Sequence, residues 1–166
     1  MKIAVISDIH DNIWSLAEVL EDARAEGAEA LVVCGDLCAP FSLQAIADGF
    51  GGPIHVVFGN NDGDQFLLER VAAGCDHVNL HGLYAELDFD GHRVAVVHYE
   101  EIGRRLAASG FFQAVFYGHS HEPRVQRVNG CLTVNPGEVM GRLGTVTYAV
   151  YDTEDQRATV KTVPAS

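Results

Sequence analysis

Ile3-Ala4-Val5-Ile6-Ser7-Asp8-Ile9-His10-Asp11-Asn12 is the stretch that decides the fold. Its four leading apolar residues read as a buried strand, and the run stops at a polar step that carries a carboxylate and an imidazole two positions apart. Side chains alternate across an extended backbone, so Asp8 and His10 are expected on one side of the chain where the strand ends. In parallel α/β sheets ligands bind beyond the carboxyl ends of the strands, which makes this pair half of a metal site.

The same step recurs downstream. Asn12 is a suitable N-cap, and Ile13, Leu16, Ala17 and Leu20 fall at helical spacing, with Gly27 placed to stop the helix. Trp14 is assigned to the core with the Leu16-Ala17-Leu20 face. Residues 30–34 form a second buried strand that ends in Gly35-Asp36. A helix follows from about Phe41, closed by Gly51-Gly52-Pro53, and a third strand over residues 54–58 runs into Gly59-Asn60-Asn61-Asp62. Asp64 caps a helix to about Ala73, whereas Asp62 suits either a cap or a place beside Asn60. Right-handed helical crossovers between parallel strands put all three ends on one edge of the sheet.

After that the pattern changes. Residues 84–89 alternate, Asp90-Gly91 is a type I′ turn signal, and residues 92–97 return as the partner strand, ending at His98. A short helix over 100–109 leads to a buried strand at 114–117 that ends in Gly118-His119-Ser120-His121. Residues 125–128 and 131–134 flank Asn129-Gly130 as a second tight hairpin, and 145–151 and 158–163 add further strands. A βα half followed by a β-rich half implies an α/β (α+β) chain with two sheets packed face to face and helices outside.

The 166 residues, 48% of them hydrophobic, suit a single domain over residues 1–166. Eleven Lys and Arg against 23 Asp and Glu give a formal charge of −12, which opposes extended contact with a nucleic-acid backbone. Lys2 is followed by only four apolar residues before Ser7-Asp8, too few for a secretory signal, and no run approaches membrane-spanning length. A cytoplasmic protein without membrane partners is expected, with a homo-oligomer open to it on general grounds. Cys34, Cys38, Cys75 and Cys131 have no zinc-finger spacing and read as reduced thiols, Cys38 as a small buried residue. His55, inside an apolar strand, reads as a partly buried side chain, and His77, His81 and His92 as surface histidines. Arg124 and Arg142 read as solvent-exposed.

Five strand ends thus present Asp8, His10, Asp36, Asn60, His98, His119 and His121, more ligand-type groups than one tetrahedral ion uses. Carboxylate, imidazole and amide oxygen without thiolate suit two divalent transition-metal ions, with manganese first and nickel, iron, zinc or cobalt as alternatives. Two ions about 3.5–4 Å apart and sharing a carboxylate can hold a hydroxide and polarise a phosphoryl oxygen, which implies phosphoester hydrolysis.

Asp8-Ile9-His10, Gly35-Asp36, Gly59-Asn60-Asn61-Asp62, His98 and Gly118-His119-Ser120-His121 resemble, in order and in strand-end placement, the five blocks of the calcineurin-like metallophosphoesterase superfamily. The short length and Asn135-Pro136-Gly137 are similar to its small YfcE-like phosphodiesterase subgroup. The resemblance implies a four-layer α/β/β/α sandwich of two mixed β-sheets flanked by helices. It implies one metal on Asp8, His10, Asp36 and His121 and a second on Asp36, Asn60, His98 and His119, with Asp36, Asn60 and His98 also counted as catalytic. A metal-bridging hydroxide attacking a small or activated phosphodiester is the reaction implied, with a proton for the leaving group coming from water or from a ligand such as His98. Asn61 stands where the superfamily commonly has a proton-donating histidine, so poor leaving groups should depart slowly. The arginine that follows Gly-Asp in Ser/Thr protein phosphatases is absent from Gly35-Asp36-Leu37-Cys38, and the chain is too short for the DNA-binding segments of repair nucleases of this type. The alternative is a non-catalytic protein-interaction scaffold on the same fold, resembling the retromer subunit.

Overall fold

β1 (Lys2–Ile6) carries the organising run, and its alternate residues face two different cores. Ala4 and Ile6 join Leu16, Val19, Leu20 and Ala23 of α1 (Ile13–Ala25), whereas Ile3 and Val5 join Val94, Val96 and Phe116 from the second half of the chain. A strand apolar on both faces needs a layer on each side to cover it. The computed structural model, which describes residues 1–163, has both layers.

β2 (Ala30–Val33), β3 (Ile54–Val56) and β4 (Val78–Leu80) add to β1 in parallel, joined through α1, α2 (Pro40–Gly49) and α3 (Gln65–Ala73). The hairpin β5 (Tyr84–Phe89) and β6 (His92–Val97) then opens a second sheet, with α4 (Glu100–Ala108), β7 (Ala114–Phe116), β8 (Arg124–Val128) and β9 (Cys131–Asn135) following. β10 (Thr147–Asp152) and β11 (Arg157–Thr162) return to the first sheet, with Ile3 opposite Tyr151 and Val5 opposite Ala149. The six-stranded sheet has the order β11-β10-β1-β2-β3-β4 and the five-stranded sheet β5-β6-β7-β9-β8, each with parallel and antiparallel pairs. Apolar residues of the two inner faces form one core, helices α1 to α3 cover the outside of the first sheet, and Ala107 of α4 packs with Ala95, Val97, Val115 and Tyr117 outside the second. The result is the expected α/β/β/α sandwich of two mixed sheets.

Both tight turns form as their sequences require, with Asp90-Gly91 at φ 54° and 81° and Asn129-Gly130 at 49° and 86°. Four expectations change. Trp14 is 70% exposed and Ala17 is also on the solvent side, because the buried stripe of α1 runs through Leu16, Val19, Leu20 and Ala23. β4 was not anticipated, since it is three residues long with only Val78 buried. His77, His81 and His92 are half-buried, each with a ring-nitrogen partner, and not surface side chains. Cys38 is half-buried. Residues 164–166 of the expected domain lie outside the described residues. Among the described residues no helix is long and apolar enough to cross a membrane.

His55 of β3 meets His81, Nδ1 to Nε2, at 3.0 Å, with the rings stacked and the Phe89 edge closing one side. Burial, and then the neighbouring His81, pushes the His55 pKa down to about 4, and burial lowers that of His81. The folded state therefore favours the neutral pair, while an unfolded histidine titrates near 6.5. The pair's contribution to stability is whole above that pH and is lost as pH falls from 6.5 towards 4. Replacing His55→Phe should shrink the drop in urea midpoint between pH 7 and pH 5. An unchanged drop in the variant would show that the pair plays no part in acid sensitivity.

Candidate metal centre

Beyond Ile6 the chain leaves the sheet and is fastened by the loop that follows β2. The amide of Asp8 donates to the Gly35 carbonyl at 3.1 Å, and those of Ile9 and His10 donate to the Asp36 carbonyl at 2.9 and 3.0 Å. Asp11 Oδ1 accepts from Ala39 N and Ser42 Oγ, both at 2.8 Å, and so caps α2, whose own Ala39 has no side chain to do it. Asn12 caps α1 by accepting from Ser15 N at 3.2 Å. Asp62 caps no helix: its carboxylate accepts from the amides of Asp36, Cys38 and Gly59 at 3.0, 2.8 and 2.6 Å, tying the loops after β2 and β3 together.

Asp8, His10, Asp36, His119 and His121 all take left-handed backbone angles, with φ of 54°, 45°, 56°, 71° and 60°. Non-glycine residues adopt this region rarely, at a cost of about 1–2 kcal/mol each. Asp8 and His10 do meet, with Oδ1 and Nε2 3.8 Å apart, but they do so through these turns and not through the alternation of an extended strand.

The seven side chains converge. His121 Nε2 lies 3.4 Å from Asp8 Oδ1, and the His10 and His121 rings stack with centroids 5.2 Å apart. His10 Nε2 is 3.6 Å from Asp36 Oδ2, which in turn is 3.4 Å from His98 Nε2. That same His98 nitrogen is 3.0 Å from Asn60 Oδ1 and 3.2 Å from His119 Nδ1. Asp8, His10 and His121 can close on one point, and Asp8, Asp36 and His98 on another, so Asp8 is common to both groups and Asp36 belongs to the second. Asp8, Asp36 and His98 are buried, while Asn60 and His119 face solvent.

The surrounding bonds fix which ring nitrogens are free. His98 Nδ1 is 2.7 Å from the Cys34 carbonyl, which only accepts, so Nδ1 carries a hydrogen and Nε2 is the nitrogen turned to Asp36. His121 Nδ1 donates to Glu138 Oε2 at 2.5 Å and turns its Nε2 lone pair to Asp8. Glu138 is fully buried, and its other oxygen accepts from Leu143 N and Gly144 N at 2.7 Å each. Nothing in the sequence around Asn135-Pro136-Gly137-Glu138 singles out this carboxylate, whose role comes from a contact across 17 positions. Asn61 donates to Asp36 twice, from its backbone at 2.8 Å and from Nδ2 at 2.7 Å.

Burial alone would push the Asp36 carboxyl up, but the His98 ring and the two Asn61 donors outweigh it and hold the group well below the usual carboxylate range. The nearby Asp8 carboxylate raises the His10 pKa, with Asp36 adding to the effect. Burial opposes a charge on His98, yet Asp36 raises its pKa on balance. Burial, helped by Asp11 and Asp62, pushes the Cys38 thiol up to about 12, so the sulfur 3.5 Å from His10 Nδ1 is not a thiolate.

These residues fit divalent ions. Asp8 Oδ1 and His10 Nε2 are buried atoms with no hydrogen-bond partner, and with neutral rings the contacts of His121 Nε2 with Asp8 and of His98 Nε2 with Asp36 set acceptor against acceptor. A cation between such atoms removes the repulsion and satisfies both.

Residues 1–156 match the calcineurin-like phosphoesterase superfamily domain. Phosphodiesterase MJ0936 of Methanocaldococcus jannaschii is 29% identical over 157 residues, covering 93% of this chain and 94% of the relative. Phosphodiesterase YfcE of Escherichia coli K12 is 26% identical over 148 residues, 84% of this chain and 79% of its own. An archaeal phosphodiesterase of known structure superposes with a TM-score of 0.91 at 26% identity, over 98% of this chain and all of that one. The fold is shared with zinc-bound Vps29 of Entamoeba histolytica, with a TM-score of 0.66 at 15% identity over 96% and 90% of the two chains.

Two glycines let the loops close this tightly. A Cβ on Gly118 would overlap Ser7 Oγ and stand 2.6 Å from Asp8 Oδ2, and one on Gly59 would overlap Asp36 Oδ1 and stand 2.6 Å from Asp36 N. Gly118→Ala and Gly59→Ala should each lower unfolding free energy by about 1–3 kcal/mol in urea titration, whereas Gly51→Ala, with nothing within 4 Å, should not. Equal stability of all three would refute the close approach.

Proposed function

The chain belongs to the calcineurin-like phosphoesterase superfamily, and on that premise we propose that it is a phosphodiesterase acting on small or activated phosphodiesters with two divalent transition-metal ions. The observation that carries the reading is the buried Asp8 Oδ1, unpartnered in the protein and faced by the Nε2 atoms of His10 and His121. We assign Asp8, His10, Asp36 and His121 to one ion and Asp36, Asn60, His98 and His119 to the other, with manganese first and nickel, iron, zinc or cobalt as alternatives. The chemistry such a pair supplies when bound is a hydroxide nucleophile at neutral pH and stabilisation of charge on the phosphoryl oxygens.

The chain's own residues set the rest. Asp36 is oriented by Asn61, whose amide is committed to Asp36 Oδ2 and has no acidic proton to offer a departing oxygen. His98 is 1% exposed and has Nδ1 tied to Cys34, so its part is to hold and orient, leaving water as the proton source. The substrates favoured are therefore diesters whose leaving group departs without a protein acid. A charge of −12 is unfavourable for a long polyanion, which keeps the substrate class small. We place the protein in the cytoplasm as one domain over residues 1–166, and Glu138 as the carboxylate that orients His121.

The scaffold reading has the Vps29 likeness in its favour, which is a likeness of fold. Against it, a scaffold gains nothing from a buried carboxylate oxygen without a partner, which costs about 1–3 kcal/mol or more. Two manganese ions should bind per chain, with chelator-sensitive hydrolysis of bis-p-nitrophenyl phosphate. Asp36→Ala should remove both ions and turnover, and Glu138→Gln should weaken metal affinity by about 10–100-fold with the fold intact. Binding of fewer than two ions, or turnover surviving in Asp36→Ala, would sink the dinuclear assignment. A folded protein with no turnover would favour the scaffold.

A further inference from the structure

Next to His119 a cleft of about 780 Å³ opens, lined by Tyr99, Glu100, Glu101, Ile102 and Arg104. Tyr99 and Ile102 are left 38% and 45% exposed there, so apolar surface is uncovered beside the most polar part of the molecule. The Tyr99 ring meets His119 edge-on with centroids 4.9 Å apart and His98 at 5.3 Å, so the aromatic wall starts where the candidate ligands stop. Tyr99 is the N-cap residue of α4 and Ile102 lies in that helix's first turn, which sets both on a rigid element.

The charges around the cleft are mutually engaged. Arg104 and Arg124 share Glu100 Oε1 at 3.5 and 3.2 Å, and Arg124 also pairs with Glu122 at 3.3 Å. With Glu101 added, three carboxylates face two guanidiniums, and among the described residues no cation at the mouth is left over to receive a second anionic group. A carboxylate or further phosphate would meet Glu100 and Glu101, whereas a neutral planar ring can pack against Tyr99 and cover Ile102.

We propose that this cleft receives one ester group of the phosphodiester and selects a neutral aromatic ring there. The proposal rests on the phosphodiesterase reading for the position of the phosphoryl group, and it narrows the substrate class to diesters with an uncharged aromatic ester group. Tyr99 and Ile102 are its specificity-determining residues.

Diphenyl phosphate and diethyl phosphate carry the same charge and are symmetric, so their comparison does not depend on which ester group enters. Titrated into the zinc-loaded protein and followed by amide chemical shifts, diphenyl phosphate should perturb residues 99–104 and bind about three- to tenfold more tightly than diethyl phosphate. Ile102→Ala and Tyr99→Ala should remove that preference by weakening diphenyl phosphate more than diethyl phosphate, and Tyr99→Phe should keep the preference. Equal affinities in the parent protein, shifts confined elsewhere, or variants that weaken both ligands alike would overturn the cleft. Turnover of bis-p-nitrophenyl phosphate with equal affinities refutes the cleft and leaves the phosphodiesterase reading. An inactive protein whose residues 99–104 still respond selectively to the aromatic ligand refutes that reading and supports the ring-binding cleft.

Discussion

The carboxylate of Asp36 is the group on which the rest of the rim depends. It is 1% exposed, and a buried charge of this kind is tolerated only where donors and opposite charges surround it. Asn61 gives it two hydrogen bonds, and His10 and His98 face it. Its own backbone serves the neighbouring loops, since the carbonyl receives the amides of Ile9 and His10 and the amide goes to Asp62. Satisfying one anion therefore positions residues from the loops after β1, β2, β3 and β6. Removing it would leave Asn61, His10 and His98 without their common partner, which ties the local fold to the site.

The left-handed residues follow from the same constraint. Five of the seven ligand-type side chains sit in a backbone region that costs each about 1–2 kcal/mol. Strain of that size persists only where the surroundings over-determine the chain. Here Asp62 clamps three amides, Asp11 caps α2 from a different loop, and Gly59 and Gly118 let backbones approach more closely than any side chain allows. The apolar cores on both faces of β1 provide the stability against which this strain is held.

How far the sequence could be read follows from the range of each interaction. The strand ends and both hairpins were legible, because an apolar run breaking into Gly-Asp or Asn-Gly is a local signal with a local cause. That these seven side chains would come together was legible too, since acid, amide and imidazole recur at those breaks. Trp14 was misplaced because a helix of this composition offers more than one apolar stripe, and only the sheet beneath decides which is buried. β4 has too few residues for a period to register. Glu138 and Asp62 act through partners in other loops, and nothing in their neighbours announces it. Asn61 was legible as a missing acid but not as the residue that holds Asp36, because the first is a matter of residue type and the second of direction.

Asn61 and Tyr99 bring the two sides of the proposed chemistry together. Where the proposed ions would sit the groups are preset: ring nitrogens are aimed by Cys34 and Glu138, and the Asp36 carboxylate by Asn61. On the leaving side the position that commonly carries a proton-donating histidine in the superfamily is Asn61, whose amide is spent on Asp36, and His98 is buried. An alkoxide of high pKa is a poor match for such a site, because its departure needs a proton in the transition state. An aryl oxide spreads its charge over the ring and departs without one, and a ring is also the group proposed to pack against Tyr99 and Ile102. Under the proposed reading, the Asn61 substitution and the apolar wall are two independent features that favour the same kind of ester.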